Sequence, residues 1–336
     1  KIPNIRYIFI PAQALHLVHK KQSNKMKRFF SVLLYIAVCT PALSQTYQQF
    51  FETGKQQYEA KNYAASIKSY TASLNLNSGI YTTWYNRGQA YYFSGQYDSA
   101  IYDYTRTLLL NTKYLDGYFQ RGLSYNKIKN HNKAIADYTA GIAIAPSDAQ
   151  FYYNRGIAYN DNGDTAFALN DYNKAITIRP DYTKAFVNRS QVFFGKKQYQ
   201  QALADISKAI QLDPAGYEAL NNRGVIYNTL NYPDSAIADF DKALALAPNR
   251  PKLYVDKAVS LNKKGVLFND MAIASLEKAL AIDPAYKNAY IFRGAIYYDI
   301  KNFAASKKDM EKVLQLDPGN KFAVSVLSKI SAQPQQ

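Results

Sequence analysis

Placed against itself, the sequence repeats every 34 residues from position 47 to position 320. A chain built this way is read as an array of small units before any globular domain is drawn. Taking as origin a position that is small in every copy, Gly54, Gly88, Gly122, Gly156, Ser190, Gly224, Ala258 and Gly294 fall in register. The last interval is 36, with its two extra residues between Gly265 and Ala272, in the turn of that unit. A single copy cannot bury its own apolar surface, so neighbouring copies must stack.

Each copy carries two helical stripes. Four residues before the origin stands a large group (Phe50, Trp84, Tyr118, Tyr152, Phe186, Leu220, Tyr254, Tyr290), and three after it usually another, as at Tyr91, Tyr125 and Tyr159. Spacings of four and three share one helical face. Twelve residues past the origin comes a small residue (Ala100, Ala134, Ala168, Ala202, Ala236) and at sixteen an apolar one (Tyr104, Tyr138, Tyr172, Ile206, Phe240), which predicts a second helix. Pro146, Pro180, Pro214, Pro248, Pro284 and Pro318 then close their copies, because proline cannot continue the hydrogen-bond ladder.

Aromatic, glycine, tyrosine, alanine, aromatic and proline at these offsets resemble the tetratricopeptide repeat. The resemblance covers eight units: 47–80, 81–114, 115–148, 149–182, 183–216, 217–250, 251–286 and 287–320. It implies an all-α fold, a right-handed superhelical solenoid of helix-turn-helix units. The first unit departs from the pattern with Ser66 and Ser78 where alanine and proline are usual, which suits an end repeat. At the other end, residues 321–331 place Ala323, Val326, Leu327 and Ile330 at helical spacing and predict a capping helix, followed by a disordered tail over 332–336.

Six units also carry an arginine just before the origin and an aspartate sixteen residues later: Arg87 and Asp103, Arg121 and Asp137, Arg155 and Asp171, Arg189 and Asp205, Arg223 and Asp239, Arg293 and Asp309. The other two lack both members together, with Thr53 and Ser69, and with Lys257 and Ser275. The arginine falls on the inward stripe of the first helix. The aspartate lies at equal height on the second, so the two can meet as structural ion pairs between packed helices. Pairing of Asp103 with Arg121 of the next unit is the alternative.

The remaining face of the first helix is where family resemblance implies a concave groove for an extended peptide or a partner helix. It presents Tyr85, Gln89, Tyr92, Phe93, Phe119, Asn126, Tyr153, Asn160, Phe194 and Asn228, with Asn86, Asn154, Asn188 and Asn222 on its border. An amide donates and accepts at once, so an asparagine ladder can grip a peptide backbone without demanding a sequence. The carboxylate-clamp pattern of some relatives is not carried over, since only Lys55, Lys127 and Lys263 come near it.

The formal charge is +16, but seven of the basic residues lie in 1–45, where there is no acid. The rest is thinly spread and forms no arginine-rich stripe, so no nucleic-acid partner is expected. Met26, Lys27 and Arg28 precede an apolar run, Phe29 to Val38, and a small-x-small site ending at Ser44. Residues 26–44 therefore read as a secretory signal peptide, with 1–25 an upstream extension from a misplaced start. The mature chain is expected to be exported, periplasmic or extracellular, with no transmembrane span. Acylation at Cys39 is disfavoured by the bulky Val38 before it. One cysteine and three histidines leave little material for catalysis or a metal site, and His131 sits at a turn between Asn130 and Asn132. The expectation is a non-enzymatic scaffold with no cofactor and no metal, recruiting a protein or peptide. The alternatives are polyanion or glycan binding, or an accessory role in an envelope complex.

Overall fold

The structure, a computed structural model, describes residues 46–333. The expected signal over 26–44, the segment 1–25, Cys39 and the tail end at 334–336 lie outside these residues. Among those described every regular element is helical, with seventeen α-helices and one 3-10 turn. Helical hairpins pack in series, the all-α solenoid class.

The chain forms two compact bodies divided between Pro146 and Ser147. The first holds the hairpins α1 (46–59) with α2 (Tyr63–Leu76), α3 (Tyr81–Phe93) with α4 (Tyr97–Leu110), and α5 (Leu115–Lys127) with α6 (His131–Ile144). The second holds α7 (Ala149–Asp161) with α8 (Thr165–Ile178), α9 (Thr183–Gly195) with α10 (Tyr199–Leu212), and α11 (Tyr217–Thr229) with α12 (Pro233–Leu246). It continues through α13 (Pro251–Lys263) with α14 (Asn269–Ile282), α15 (Lys287–Asp299) with α16 (Phe303–Leu316), and the single α17 (Lys321–Ser331). The longer seventh hairpin turns through a 3-10 segment, Val266–Phe268.

Local chemistry explains the helix ends. The second helices α8, α10, α12 and α14 stop two residues before Pro180, Pro214, Pro248 and Pro284. The residue ahead of a proline is driven out of the helical region, so the helix must end there. At the starts of α2, α6 and α16, Asn62, Asn130 and Asn302 accept from the backbone N–H three residues on, and Pro233 and Pro251 occupy the first turn of α12 and α13.

Close approach of the paired helices explains the small origin. A Cβ added at Gly156 would lie 2.8 Å from the Tyr172 ring, and one at Gly224 would lie 2.7 Å from Phe240. Where the origin carries a side chain, as in Ser190 and Ala258, the facing residue is the slimmer Ile206 or Leu276, both fully buried. Serine at the small position of the second helix adds a tie: Ser66 Oγ donates to the Gly54 carbonyl and Ser306 Oγ to that of Gly294, both at 2.8 Å.

The six arginines and aspartates meet within their own hairpins. In each, Nε and Nη2 donate to the two carboxylate oxygens at 2.6–2.9 Å, a bidentate fork. The aspartate side chains are 0–8% exposed and the arginines 12–19%. Arg121 takes Asp137 rather than Asp103. Its third nitrogen, Nη1, reaches back to Thr105 at 3.1 Å, and Arg87 reaches Thr71 at 3.0 Å, Arg189 Asn173 at 2.6 Å and Arg223 Ser207 at 3.3 Å. One guanidinium thus joins three helices, two of its own hairpin and one of the preceding repeat.

The flanking aromatics complete the seat. Arg87 lies 4.9 Å from the Trp84 ring centre and 5.7 Å from that of Tyr91, and Arg189 lies 5.5 Å from Phe186 and 5.9 Å from Phe193. Burial pushes the Asp103 and Asp137 carboxyls above their ordinary value in spite of the adjacent guanidinium. Because desolvation opposes the ionic attraction, a buried fork of this kind suits fixing register more than adding net stability.

Two outcomes follow for stability, both read by urea denaturation with circular dichroism. Asp239→Ala strands the Arg223 guanidinium and should cost about 3 kcal/mol, whereas Arg223→Met combined with Asp239→Leu should cost about half of that or less. Gly156→Ala should cost about 2 kcal/mol through overlap with Tyr172, and adding Tyr172→Leu should recover part of the loss.

Candidate functional site

Burying the stripe that carries the arginine leaves another face of each first helix available, and the residues on it differ in what they touch. In the first body Tyr85 is committed to packing. Its ring centre lies 5.8 Å from that of Tyr104 and 5.0 Å from that of Tyr114, and Gln89 Nε2 donates to its hydroxyl at 2.9 Å. Burial raises its phenol pKa well above the ordinary value.

Tyr92 and Phe93 join a surface cluster with Tyr58, Tyr63 and Tyr97. Phe93 lies 5.4 Å from Tyr92, 6.0 Å from Tyr58 and 5.8 Å from Tyr63, on which it stacks, and it remains 55% exposed. Phe119 packs 6.2 Å from Tyr138. Asn126 donates to the Tyr138 hydroxyl at 3.4 Å, and its Oδ1 lies 3.3 Å from His131 Nδ1. Asn86 is half-buried.

In the second body the asparagines do not behave alike. Asn154 donates to the Gln150 carbonyl of its own helix at 2.8 Å, and Asn188 donates to the Tyr153 hydroxyl at 3.2 Å. Tyr153 itself packs 4.8 Å from Tyr182. Asn160 is exposed, whereas Asn228 is buried, and its Oδ1 has no partner within the protein. The next position in the asparagine row is Asp256, whose carboxylate pairs with Lys252 and whose pKa burial raises.

Phe194 and Asn222 are brought together. They line a cleft of about 260 Å³ formed by Ser190, Gln191 and Phe194 of α9, by Asn221, Asn222, Val225 and Ile226 of α11, and by Lys252 of α13. Val225, Ile226 and Lys252 are not among the residues that sequence reasoning singled out. Val225 nevertheless occupies the position just past the origin that marks this face at Gln89. Lys252 stands six residues before the origin, one helical turn beyond the pattern used.

Chemically, Phe194, Val225 and Ile226 offer an apolar seat large enough for one bulky side chain. Gln191 and Asn222 offer amides beside it that can pair with a passing backbone. Among the described residues no group of three His, Cys, Asp or Glu is placed to hold a metal ion, and no helix is long and apolar enough to cross a membrane.

Tetratricopeptide repeat models match residues 81–114, 149–182, 188–251 and 288–320, and a further TPR repeat model matches 122–163. No curated protein is significantly similar to the chain. Among solved structures it resembles a tetratricopeptide repeat protein from Parabacteroides merdae, with 19% identity over 75% of this chain and 98% of that one and a TM-score of 0.58. The Pseudomonas aeruginosa protein pilF is similar to the same degree, at 19% identity, 64% and 97% coverage and a TM-score of 0.56. At these identities the likeness concerns the fold. The repeat models together span more than half of the sequence and fall on the hairpins described above, so the chain belongs to the tetratricopeptide repeat family.

Proposed function

We propose that this protein is a non-enzymatic scaffold that binds an extended peptide or protein segment in the cleft between α9, α11 and α13. The observation that carries the reading is the composition of that cleft, where an apolar seat of Phe194, Val225 and Ile226 is bordered by the amides of Gln191 and Asn222. Such a site grips one large apolar side chain and pairs with the backbone on either side of it, which leaves neighbouring residues of the ligand free to vary. Export through residues 26–44 belongs to the same proposal, resting on their basic, apolar and small-residue order.

A second reading attaches to the first body. The rings of Tyr58, Tyr63, Tyr92, Phe93 and Tyr97 form a contiguous surface cluster, and an exposed ring such as Phe93 offers the flat apolar face on which a sugar ring stacks.

Display selection of short linear peptides on the whole protein separates the two. Enriched peptides should share one large apolar residue, and Phe194→Ala or Asn222→Ala should weaken them by about tenfold in fluorescence anisotropy while Phe93→Ala leaves them unchanged. Absence of enrichment, together with glycan-array binding lost on Phe93→Ala, would replace the peptide reading with the glycan one.

A further inference from the structure

The seventh repeat is two residues longer than the others, and the extra length lies in the turn of its hairpin. There Gly265, at φ 117°, opens the 3-10 segment Val266–Phe268. Phe268 turns inward. It packs on the apolar cluster of α13, α14 and α15, with the Lys264 ammonium 4.1 Å from its ring centre. The two residues before it turn outward. Val266 is 75% exposed and Leu267 91%, and among the described residues no large apolar side chain is more exposed than Leu267. Met271, early in α14, is exposed as well. At the place of Gly265, seven residues past the origin, the other turns hold only glycine, asparagine or lysine, all at positive φ, so the apolar tip is peculiar to this repeat.

The neighbouring turns of the second body lie along the same edge. Lys263 Nζ donates to the Asn228 carbonyl near the end of α11 at 2.7 Å, and Lys264 Nζ lies 2.6 Å from Asp234 at the start of α12. On the other side, Ile296 of α15 belongs to the cluster on which Phe268 packs. Both neighbours add apolar surface, through the exposed Tyr232 of the sixth turn and Ile300 of the eighth. Lysines outnumber acids along this edge. Once Lys264 and Asp234 are set against each other, Lys196 and Lys197 of the fifth turn, Lys263 of the seventh and Lys301 of the eighth remain beside Asp270 and Asp299.

Two protruding aliphatic side chains are too little for a stable contact between rigid proteins, which buries about 1,200–2,000 Å². A lipid surface needs no matching shape. Aliphatic side chains enter its interfacial layer, a tyrosine sits at the headgroup level, and lysines are drawn to anionic headgroups.

We propose that the turn edge of the fifth to eighth hairpins is a docking surface for an anionic phospholipid bilayer, with Val266 and Leu267 entering the interface and Lys197, Lys263 and Lys301 held at the headgroups. Docking does not depend on what the cleft binds.

Leu267→Cys, made together with Cys39→Ser and labelled with the environment-sensitive fluorophore NBD, reports the surroundings of residue 267 in the whole protein. Vesicles of phosphatidylcholine containing about 30% phosphatidylglycerol should raise its emission about threefold with a blue shift, and vesicles of phosphatidylcholine alone less than about 1.5-fold. Val266→Asp, at an exposed position, should abolish the response and leave the circular dichroism unchanged. Vesicle binding that leaves the emission at residue 267 unchanged, as through the apolar run Phe29 to Val38, would overturn the proposal. A rise with protein concentration in the absence of vesicles would overturn it in favour of a second copy covering the tip. An equal response to both vesicle types would overturn the role of the lysines.

Discussion

The register of six of the eight hairpins depends on one interaction, the arginine fork that ties their two helices together. A planar guanidinium has two parallel N–H donors for a carboxylate and still has Nη1 to spare. Here the pair goes to the aspartate of the same hairpin and the spare donor, as in Arg87, Arg121, Arg189 and Arg223, to a side chain of the repeat before. Apolar packing between helices is strong but undirected and would accept a slip of register. The fork accepts few geometries, so within each body it fixes the register of the hairpins that carry it. The cost is visible in Asp103 and Asp137, whose carboxyls burial holds above their ordinary pKa.

The same logic explains the aromatic richness of the chain. Rings four before and three after the origin bracket the guanidinium, and the ring of the second helix fills the space left open by glycine. Most of the tyrosines that look available in the sequence are therefore engaged in building the scaffold. Tyr85 is the clearest instance, seated between Tyr104 and Tyr114.

The hairpins were legible because their information is periodic and local. Glycine against a ring, proline after a helix and an arginine at equal height with an aspartate are pairwise relations at constant spacing. The third contact of the arginine was not legible, since Thr71, Thr105, Asn173 and Ser207 share a hydrogen-bonding group but are of three residue types. The face proposed to bind was legible as a row of residues and not as a cleft. Asn154 and Asn222 hold equivalent positions, yet one donates to its own helix and the other borders a cleft. That difference lies in rotamers and in neighbours one repeat away, which a 34-residue pattern averages out.

The central claim is that α9 and α11 carry the forks on one face and the proposed binding cleft on another. The most direct measurement is an exchange footprint of the whole protein with a display-selected linear peptide bound. Protection confined to α9, α11 and α13, with α10, α12 and α14 unchanged, is the predicted result. Protection centred on the second helices would contradict the claim and move the binding surface to the other side of the hairpins.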